Sequence, residues 1–457
     1  MTSTPHIEIH GGVGTIGGTK VAVCEGGYRV LFDFGVTYNP GGELWGTKVA
    51  ARTGAAARLR DLVTLGYAPA LDGLYRPESA ATLGLQPGDG KTHVFISHLH
   101  LDHMALLDLL AGNVPVWMHD QSLKLFRAVA ETGEQPPVPT GARGFQWGQP
   151  IAVGPMTVTP VAVDHDVEGA SGLLIKTSAG TVVYTGDLRS HGAHPEHSAS
   201  FIAAARASDP KVLIIEGTRL GEEERAPDRP PSLSEPEVPG RIAEVVSGCS
   251  GLALITLYPR NTLRLETITA AMPGVGRKML FSPEMAHVFR SMGGDLSQAG
   301  LYLRAKDKEA LAAGQAAAWL TDLLATGVQT VDADGVRREP TKYLLQLFYW
   351  DLPELVDIQP PPGSIFIHSN GEPLGRFDPG FEIFTRWLDR FGLELVMVPS
   401  TGHAPAQDLA AVVEGVRPAI LMPIHSRAPE LLEVAGIERV LPEMGGIYAV
   451  ATGKRIG

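Results

Sequence analysis

Ser97-His98-Leu99-His100-Leu101-Asp102-His103 gathers three imidazoles and a carboxylate into the six residues from His98 to His103, directly after the apolar run Val94-Phe95-Ile96. The apolar run reads as a short buried strand. The ligand-rich stretch is therefore expected on the loop at its carboxyl end, where open α/β sheets place their chemistry. Imidazole nitrogens beside a hard carboxylate suit Zn²⁺, with Mn²⁺, Fe²⁺ or Co²⁺ as alternative occupants. Four neighbouring side chains splay apart along the backbone and converge poorly on one tetrahedral ion. The spacing therefore predicts two metal ions sharing the loop.

Working outward, other apolar runs also end in chemistry-bearing residues. Arg29-Val30-Leu31-Phe32 ends at Asp33, expected to orient a ligating histidine from behind. The strand from Met156 to Val163 ends at Asp164-His165-Asp166, and His165 is read as completing the first ion's ligand set. Thr181 to Tyr184 ends near Asp187, a carboxylate placed to bridge two ions. Val212 to Ile215 ends at Glu216, Glu394 to Val398 is followed by His403, and Ala419 to Met422 is followed by His425. The glycine-rich segment Gly11 to Gly18 sits between two strand-like runs and lacks Gly-Lys-Ser/Thr, which excludes a P-loop or a dinucleotide fingerprint. It is expected to form a tight hairpin whose backbone passes close to the metal centre.

The chain has 457 residues, of which 44% are hydrophobic and 19% charged. That length predicts two domains or one domain with an insertion, in a globular protein with a sizeable core. A net charge of −12 argues against loose polyanion binding through a basic surface. It does not exclude a nuclease whose metals dominate the local potential. No apolar run spans a membrane, and Met1-Thr2-Ser3-Thr4-Pro5 lacks a secretory signal, so a cytoplasmic, membrane-free protein is expected. Cys24 and Cys249 cannot form a disulfide framework and read as buried structural thiols. Proline-rich stretches at Ala226 to Pro239 and Pro360 to Pro362 predict domain breaks. The resulting division is residues 1–220, an inserted α/β domain over 221–362, and a completing segment over 363–457. Within the insertion, helices are expected after Asn261 and over the alanine-rich stretch from Lys308 to Ala325.

Together these residues resemble the metallo-β-lactamase superfamily, within it the β-CASP nucleases, and most closely the ribonuclease J family. His98 to His103 fits the His-x-His-x-Asp-His motif, and His165 and Asp187 fit the next two ligand positions. The glycine segment, Asn370-Gly371-Glu372-Pro373, Gly402-His403-Ala404 and Pro423-Ile424-His425 look like elements specific to ribonuclease J. The resemblance implies an αββα metallo-β-lactamase sandwich interrupted by a β-CASP α/β domain. It implies two Zn²⁺ per chain, with Mn²⁺ as an alternative: one held by His98, His100 and His165, the other by Asp102, His103 and His425, with Asp187 bridging. The ions are expected about 3.5 to 4 Å apart.

Asp102, His403 and Glu216 are the implied catalytic residues. His403 would serve as proton or hydrogen-bond donor, with Glu216 orienting a histidine. Ser369, Asn370, Gly371 and His403 would bind substrate, single-stranded RNA bearing a 5′-monophosphate, and a homo-oligomer is among the implied arrangements. Three departures stand out: Asp164 and Asp166 flank His165, Gly217 replaces a serine-like residue, and the chain stops soon after Gly446, without the additional carboxyl-terminal domain of many bacterial members. The alternative functions are a small-molecule hydrolase of the same fold and a non-catalytic RNA-binding partner.

Overall fold

The computed structural model describes residues 4–39, 42, 44–45, 49–222 and 232–457. These form two units, the first comprising residues 1–126, 136–228 and 402–457 and the second residues 127–135 and 229–401.

The first unit is built on two seven-stranded sheets. One runs, edge to edge, Ile447–Ala449 (β21), His6–Gly11 (β1), Lys20–Glu25 (β2), Tyr28–Phe32 (β3), Thr92–Phe95 (β4), Val116–His119 (β5) and Ala142–Phe145 (β6). The other runs Glu438–Arg439 (β20), Ile420–Ile424 (β19), Pro210–Glu216 (β11), Gly180–Tyr184 (β10), Ser171–Thr177 (β9), Met156–Ala162 (β8) and Ile151–Val153 (β7). Alternation along β8, buried at every second residue, is what a sheet with one core-facing side requires. Ile7, Ile9, Val21 and Phe32 from the first sheet pack with Val158, Leu173, Val182 and Ile214 from the second. The Phe32 and Tyr184 rings stack at 4.3 Å between centroids. The opposite face of the second sheet is covered by helices Pro195–Ala207 and Ala406–Val416 through Phe201, Ala205, Leu409 and Val413. Sheet on sheet, with helices outside the second, agrees with the αββα layering that the family resemblance implies.

In each sheet the parallel strands deliver their carboxyl ends to one edge. β3 pairs in parallel with β4, and β10, β11 and β19 are parallel neighbours. Asp33, the His98 to His103 loop, Asp187, Glu216 and His425 all follow or close these strands, so one topological rule collects them.

The second unit is an all-parallel sheet in the order Thr330–Val331 (β15), Ala299–Tyr302 (β14), Lys278–Phe281 (β13), Tyr343–Gln346 (β16), Ala253–Leu257 (β12), Ile365–Ser369 (β17) and Glu394–Met397 (β18). Its strands are apolar on both faces, as a doubly covered parallel sheet requires. One face packs Ile255, Met279 and Ile367 against helices, the other Leu254, Leu280 and Phe366.

Several expectations need correction. The strand after Pro362 does not reopen the first domain, because β17 pairs along its length with β12 and keeps the second unit intact to Thr401. Prolines marked a turn within the unit, not its end. Ala226 to Pro231 lies outside the described residues; the remainder of that proline-rich stretch is no linker. A capping box between Ser234 and Glu237 starts a helical turn that continues into the helix Val238–Gly248. Asn261 does cap the helix Thr262–Ala271, accepting from Arg264 N at 3.1 Å. The alanine-rich stretch forms two helices, Ala305–Ala312 and Ala318–Leu324, separated at Gly314. Cys24 is buried, whereas Cys249 is partly exposed. No helix among the described residues is long and apolar enough to cross a membrane.

Ile255 is fully buried and Ile383, on the helix Pro379–Arg390, is 49% exposed. Ile255→Ala is expected to destabilise the chain by about 2–5 kcal/mol and Ile383→Ala by under ~0.5 kcal/mol, read from the urea unfolding transition followed by circular dichroism.

Candidate metal centre

The first unit brings His98, His100, His165 and Asp187 together so that one ligand-type atom from each lies within 4.8 Å of the others. Asp102, His103 and His425 form a second such group, and Asp187, Glu216 and His403 a third. Asp187 Oδ2 stands 3.1 Å from His103 Nε2, 3.7 Å from His98 Nε2 and 3.8 Å from His425 Nε2. It is therefore the carboxylate between the first two groups. His425 Nε2 is 3.1 Å from Asp102 Oδ2, and His100 Nδ1 is 3.3 Å from His165 Nε2.

Four of the five histidines, His98, His103, His165 and His425, are oriented by a partner on the other ring nitrogen or beside it. His165 Nδ1 donates to the Gly402 carbonyl at 2.6 Å, His103 Nδ1 meets Asp33 Oδ2 at 2.8 Å, and His425 Nδ1 meets Thr218 Oγ1 at 2.8 Å. Ser97 Oγ lies 3.0 Å from His98 Nδ1. Such supports fix the ring and tautomer of a ligating imidazole. Asp33 behaves as its strand-end position suggested; Ser97, Thr218 and Gly402 are supports that the sequence reading missed. Their only signal was adjacency to a ligand or to a strand end.

The glycines make the loop geometry possible. A Cβ on Gly35 would lie 1.9 Å from the Asp102 backbone, and one on Gly17, whose φ is +73°, would lie 2.4 Å from Asp102 Cβ. Gly17 N–H donates to His425 Nε2 at 2.9 Å, so the glycine hairpin does pass against the centre.

Burial and neighbouring imidazoles keep His98 well below the usual histidine range, burial pushes His100 down to about 3, and burial lowers His165. Those three are neutral lone-pair donors. Burial also opposes charge on His103 and His425, yet Asp187 and Asp102 outweigh it and raise both. Burial opposes charge on His403 as well, yet Glu216 and Asp187 push it up to about 9. Asp102, Asp187 and Glu216 are in turn held below the usual range by the histidines despite burial.

The donor set fits a divalent ion on an observation of its own. His98 Nε2, His103 Nε2 and both Asp187 oxygens are buried with no hydrogen-bond partner, a costly state for polar atoms unless something else satisfies them. Ligands at about 2.0–2.2 Å from a tetrahedral ion stand roughly 3.3–3.6 Å apart, close to the separations found.

Glu216 lies at the end of β11, its Oε1 3.1 Å from His403 Nδ1 and its Oε2 accepting from Thr218 N at 2.9 Å. The two acids beside His165 part company. Asp164 turns away, accepting from Gly192 N at 2.9 Å and lying 3.6 Å from Arg189 Nε. Asp166 Oδ1 turns in, 3.4 Å from His100 Nε2 and 3.3 Å from His165 Nε2, adding a carboxylate to the first group.

Ser369, Asn370 and Gly371 belong to the second unit, at the carboxyl end of β17. Asn370 Oδ1 accepts from Arg264 at 3.0 Å and Ser400 N at 2.9 Å, which leaves Nδ2 as its donor. Ser369 Oγ is buried without a hydrogen-bond partner.

Residues 74–248 match the family described as a beta-lactamase superfamily domain. Ribonuclease J of Sinorhizobium meliloti is 25% identical over 370 residues, covering 77% of this chain and 61% of that protein. Ribonuclease J of Mycobacterium tuberculosis strain H37Rv is 25% identical over 346 residues, covering 72% of this chain and 57% of that protein. The chain thus spans less than two thirds of the length of these relatives. A crystal structure of a protein of unknown function from Enterococcus faecalis V583 matches with a TM-score of 0.78 and 27% identity, covering 97% of this chain and 99% of that one.

Asp33 Oδ2 faces donors from Ser97, His103 and Tyr184, and Oδ1 faces Ser97 N. Asparagine there sets an amide N–H₂ against a donor in either orientation. Asp33→Asn is expected to weaken zinc binding about 10–100-fold, measured by chelator competition; unchanged affinity would show that His103 does not depend on Asp33.

Proposed function

We propose that this chain, whose residues 74–248 match a beta-lactamase superfamily domain and whose sequence is similar to ribonuclease J, is a metal-dependent hydrolase cleaving phosphodiester bonds in RNA. The observation that carries the reading is the two adjacent ligand groups with Asp187 Oδ2 close to histidines of both, and the Glu216–His403 pair beside them. In the proposed assignment His98, His100 and His165 hold one Zn²⁺ and Asp102, His103 and His425 the other, with Asp187 between them and Mn²⁺ as the alternative ion. Bound there, a metal pair supplies a hydroxide at neutral pH and neutralises charge on the phosphate oxygens.

The chain's own residues do the rest. The neutral imidazoles of His98, His100 and His165 offer lone pairs, and the Asp102 and Asp187 carboxylates supply the negative charge that favours a dication over a monocation. His403, held cationic by Glu216, delivers a hydrogen bond or proton to the oxygen that gains charge as the phosphorus–oxygen bond breaks. Glu216 is a positioning residue, fixed by Leu188 N and Thr218 N, so the imidazole it holds is aimed before substrate arrives. Asp166 is proposed to strengthen the first site beyond what three imidazoles supply.

Within the second unit, proposed as the β-CASP domain, Ser369 Oγ, Asn370 Nδ2 and the Gly371 backbone are assigned to phosphate binding. The substrate proposed is single-stranded RNA with a 5′-monophosphate, in the cytoplasm, cut by a 5′-exonuclease or endonuclease.

Incubation of metal-loaded protein with end-labelled RNA carrying a 5′-monophosphate, triphosphate or hydroxyl tests the reading. Mononucleotides released from the monophosphate alone identify an exonuclease, and internal fragments from all three an endonuclease. No cleavage with both ions bound sinks the proposal. Asp102→Ala and chelation should each abolish cleavage. His403→Ala should lower the rate about 10²–10⁴-fold while metal content, read by elemental analysis, stays at the wild-type level.

A further inference from the structure

The strand that opens the first unit carries another ligand pattern. In His6-Ile7-Glu8-Ile9-His10 the period of two sends Ile7 and Ile9 into the sandwich core and His6, Glu8 and His10 to the other face of the sheet. Antiparallel β2 sets Cys24 directly opposite His6 and Ala22 opposite Glu8. Directly paired residues share a face, so the thiol joins the imidazole, and the small Ala22 leaves room around the carboxylate.

We infer that His6 Nε2, Glu8 Oε1 and Cys24 Sγ form a mononuclear site for a borderline-soft divalent ion of the Zn²⁺ class, separate from the His98 to His425 centre. Their ligand atoms lie within 4.8 Å of one another, and His6 Nε2 is 3.2 Å from Glu8 Oε1. Tetrahedral ligands at about 2.0–2.3 Å stand roughly 3.3–3.8 Å apart, so small rotations of these side chains close the set. His6 Nδ1 donates to the Thr4 carbonyl at 3.0 Å, which fixes the ring with Nε2 facing Glu8, and Nε2 becomes a ligand when an ion displaces its proton. A nitrogen, a carboxylate oxygen and a thiol together suit Zn²⁺ or Co²⁺ better than Mg²⁺ or Ca²⁺.

The Glu8 carboxylate supplies negative charge to the set. Arg29 is the competing charge, 3.6 Å from Glu8 Oε2. Its guanidinium is anchored on the Asp72 carbonyl and Thr92 Oγ1, and His10 shares Oε2 at 3.1 Å, so Oε1 is the oxygen turned to the site. Partial exposure of the Glu8 side chain, 16%, gives an ion its path and solvent the fourth position.

The site's place decides its role. Five residue steps along β1 separate His6 from Gly11, about 16 Å, and it is beyond Gly11 that the Gly12 carbonyl accepts from His425 N at 2.6 Å. An ion at His6 is remote from hydrolysis and pins β1 to β2 at the far end of the hairpin that lines the centre.

Cobalt titration of the metal-free full chain tests the inference. A thiolate-to-cobalt absorption band in the near ultraviolet is expected in wild type, Cys249→Ser and Asp102→Ala, and is expected to vanish in Cys24→Ser. Elemental analysis should show Cys24→Ser and Glu8→Gln each binding one zinc fewer than wild type, with circular dichroism unchanged. Absence of the band in wild type, its survival in Cys24→Ser, or its loss in Cys249→Ser overturns the site. Persistence of the band in Asp102→Ala separates it from the hydrolytic centre.

Discussion

A single buried carboxylate, Asp33, is the constraint on which the candidate metal centre hangs. It is fully buried at the end of β3, in the left-handed backbone region with φ +59°, a conformation that costs a non-glycine residue energy and persists where surroundings demand it. Its two oxygens take hydrogen bonds from Ser97 N and Oγ, His103 Nδ1 and Tyr184 Oη, at 2.6 to 2.9 Å. Burying an unpaired carboxylate costs several kcal/mol, so this one is tolerable only because every donor reaches it. The same bonds join β3, the loop after β4, and β10, strands of both sheets. Tyr184 reaches Asp33 with its hydroxyl while its ring stacks on Phe32, so core packing and ligand orientation are one construction.

Around that anchor the histidines divide by environment. Burial lowers His98, His100 and His165, while carboxylates raise His103, His425 and His403 against it. A proton on these raised histidines and a metal ion answer the same carboxylates, Asp102, Asp187 and Glu216. Metal binding at such a site displaces protons from those histidines, coupling occupancy to pH by simple competition.

The second unit shows how polar residues at strand ends become structural. Arg264, nearly inaccessible, pairs with both Glu235 oxygens at 2.5 and 2.6 Å and also donates to Asn370 and the Ser400 carbonyl. Asn370 is thereby drawn into holding the ends of β17 and the segment after β18, and its left-handed φ of +60° fits a residue that turns the chain sharply at a strand end. An asparagine in a glycine-containing loop carries no mark in sequence that tells such bracing from ligand binding.

Most of the strands, and the strand-end residues that gather in the candidate centre, were legible in the sequence, because apolar runs bounded by glycine, aspartate and histidine report both burial and strand ends; the layer order came with the family resemblance. The alternation in β8 and the continuous apolar runs of β12, β13 and β17 distinguish half-buried from doubly covered strands by the same logic. What the sequence left open required partners far along the chain. The second unit extends to Thr401 because β17 hydrogen-bonds to β12, more than a hundred residues earlier, and three prolines before β17 outweighed a pairing that leaves no local signal. Asp164 and Asp166 are equivalent in sequence, yet Arg189 and Gly192 draw one away while His100 and His165 face the other. Local pattern determines which residues stand at strand ends; only the packed sheets decide which of those side chains meet, because side-chain direction depends on neighbours that the chain brings from elsewhere.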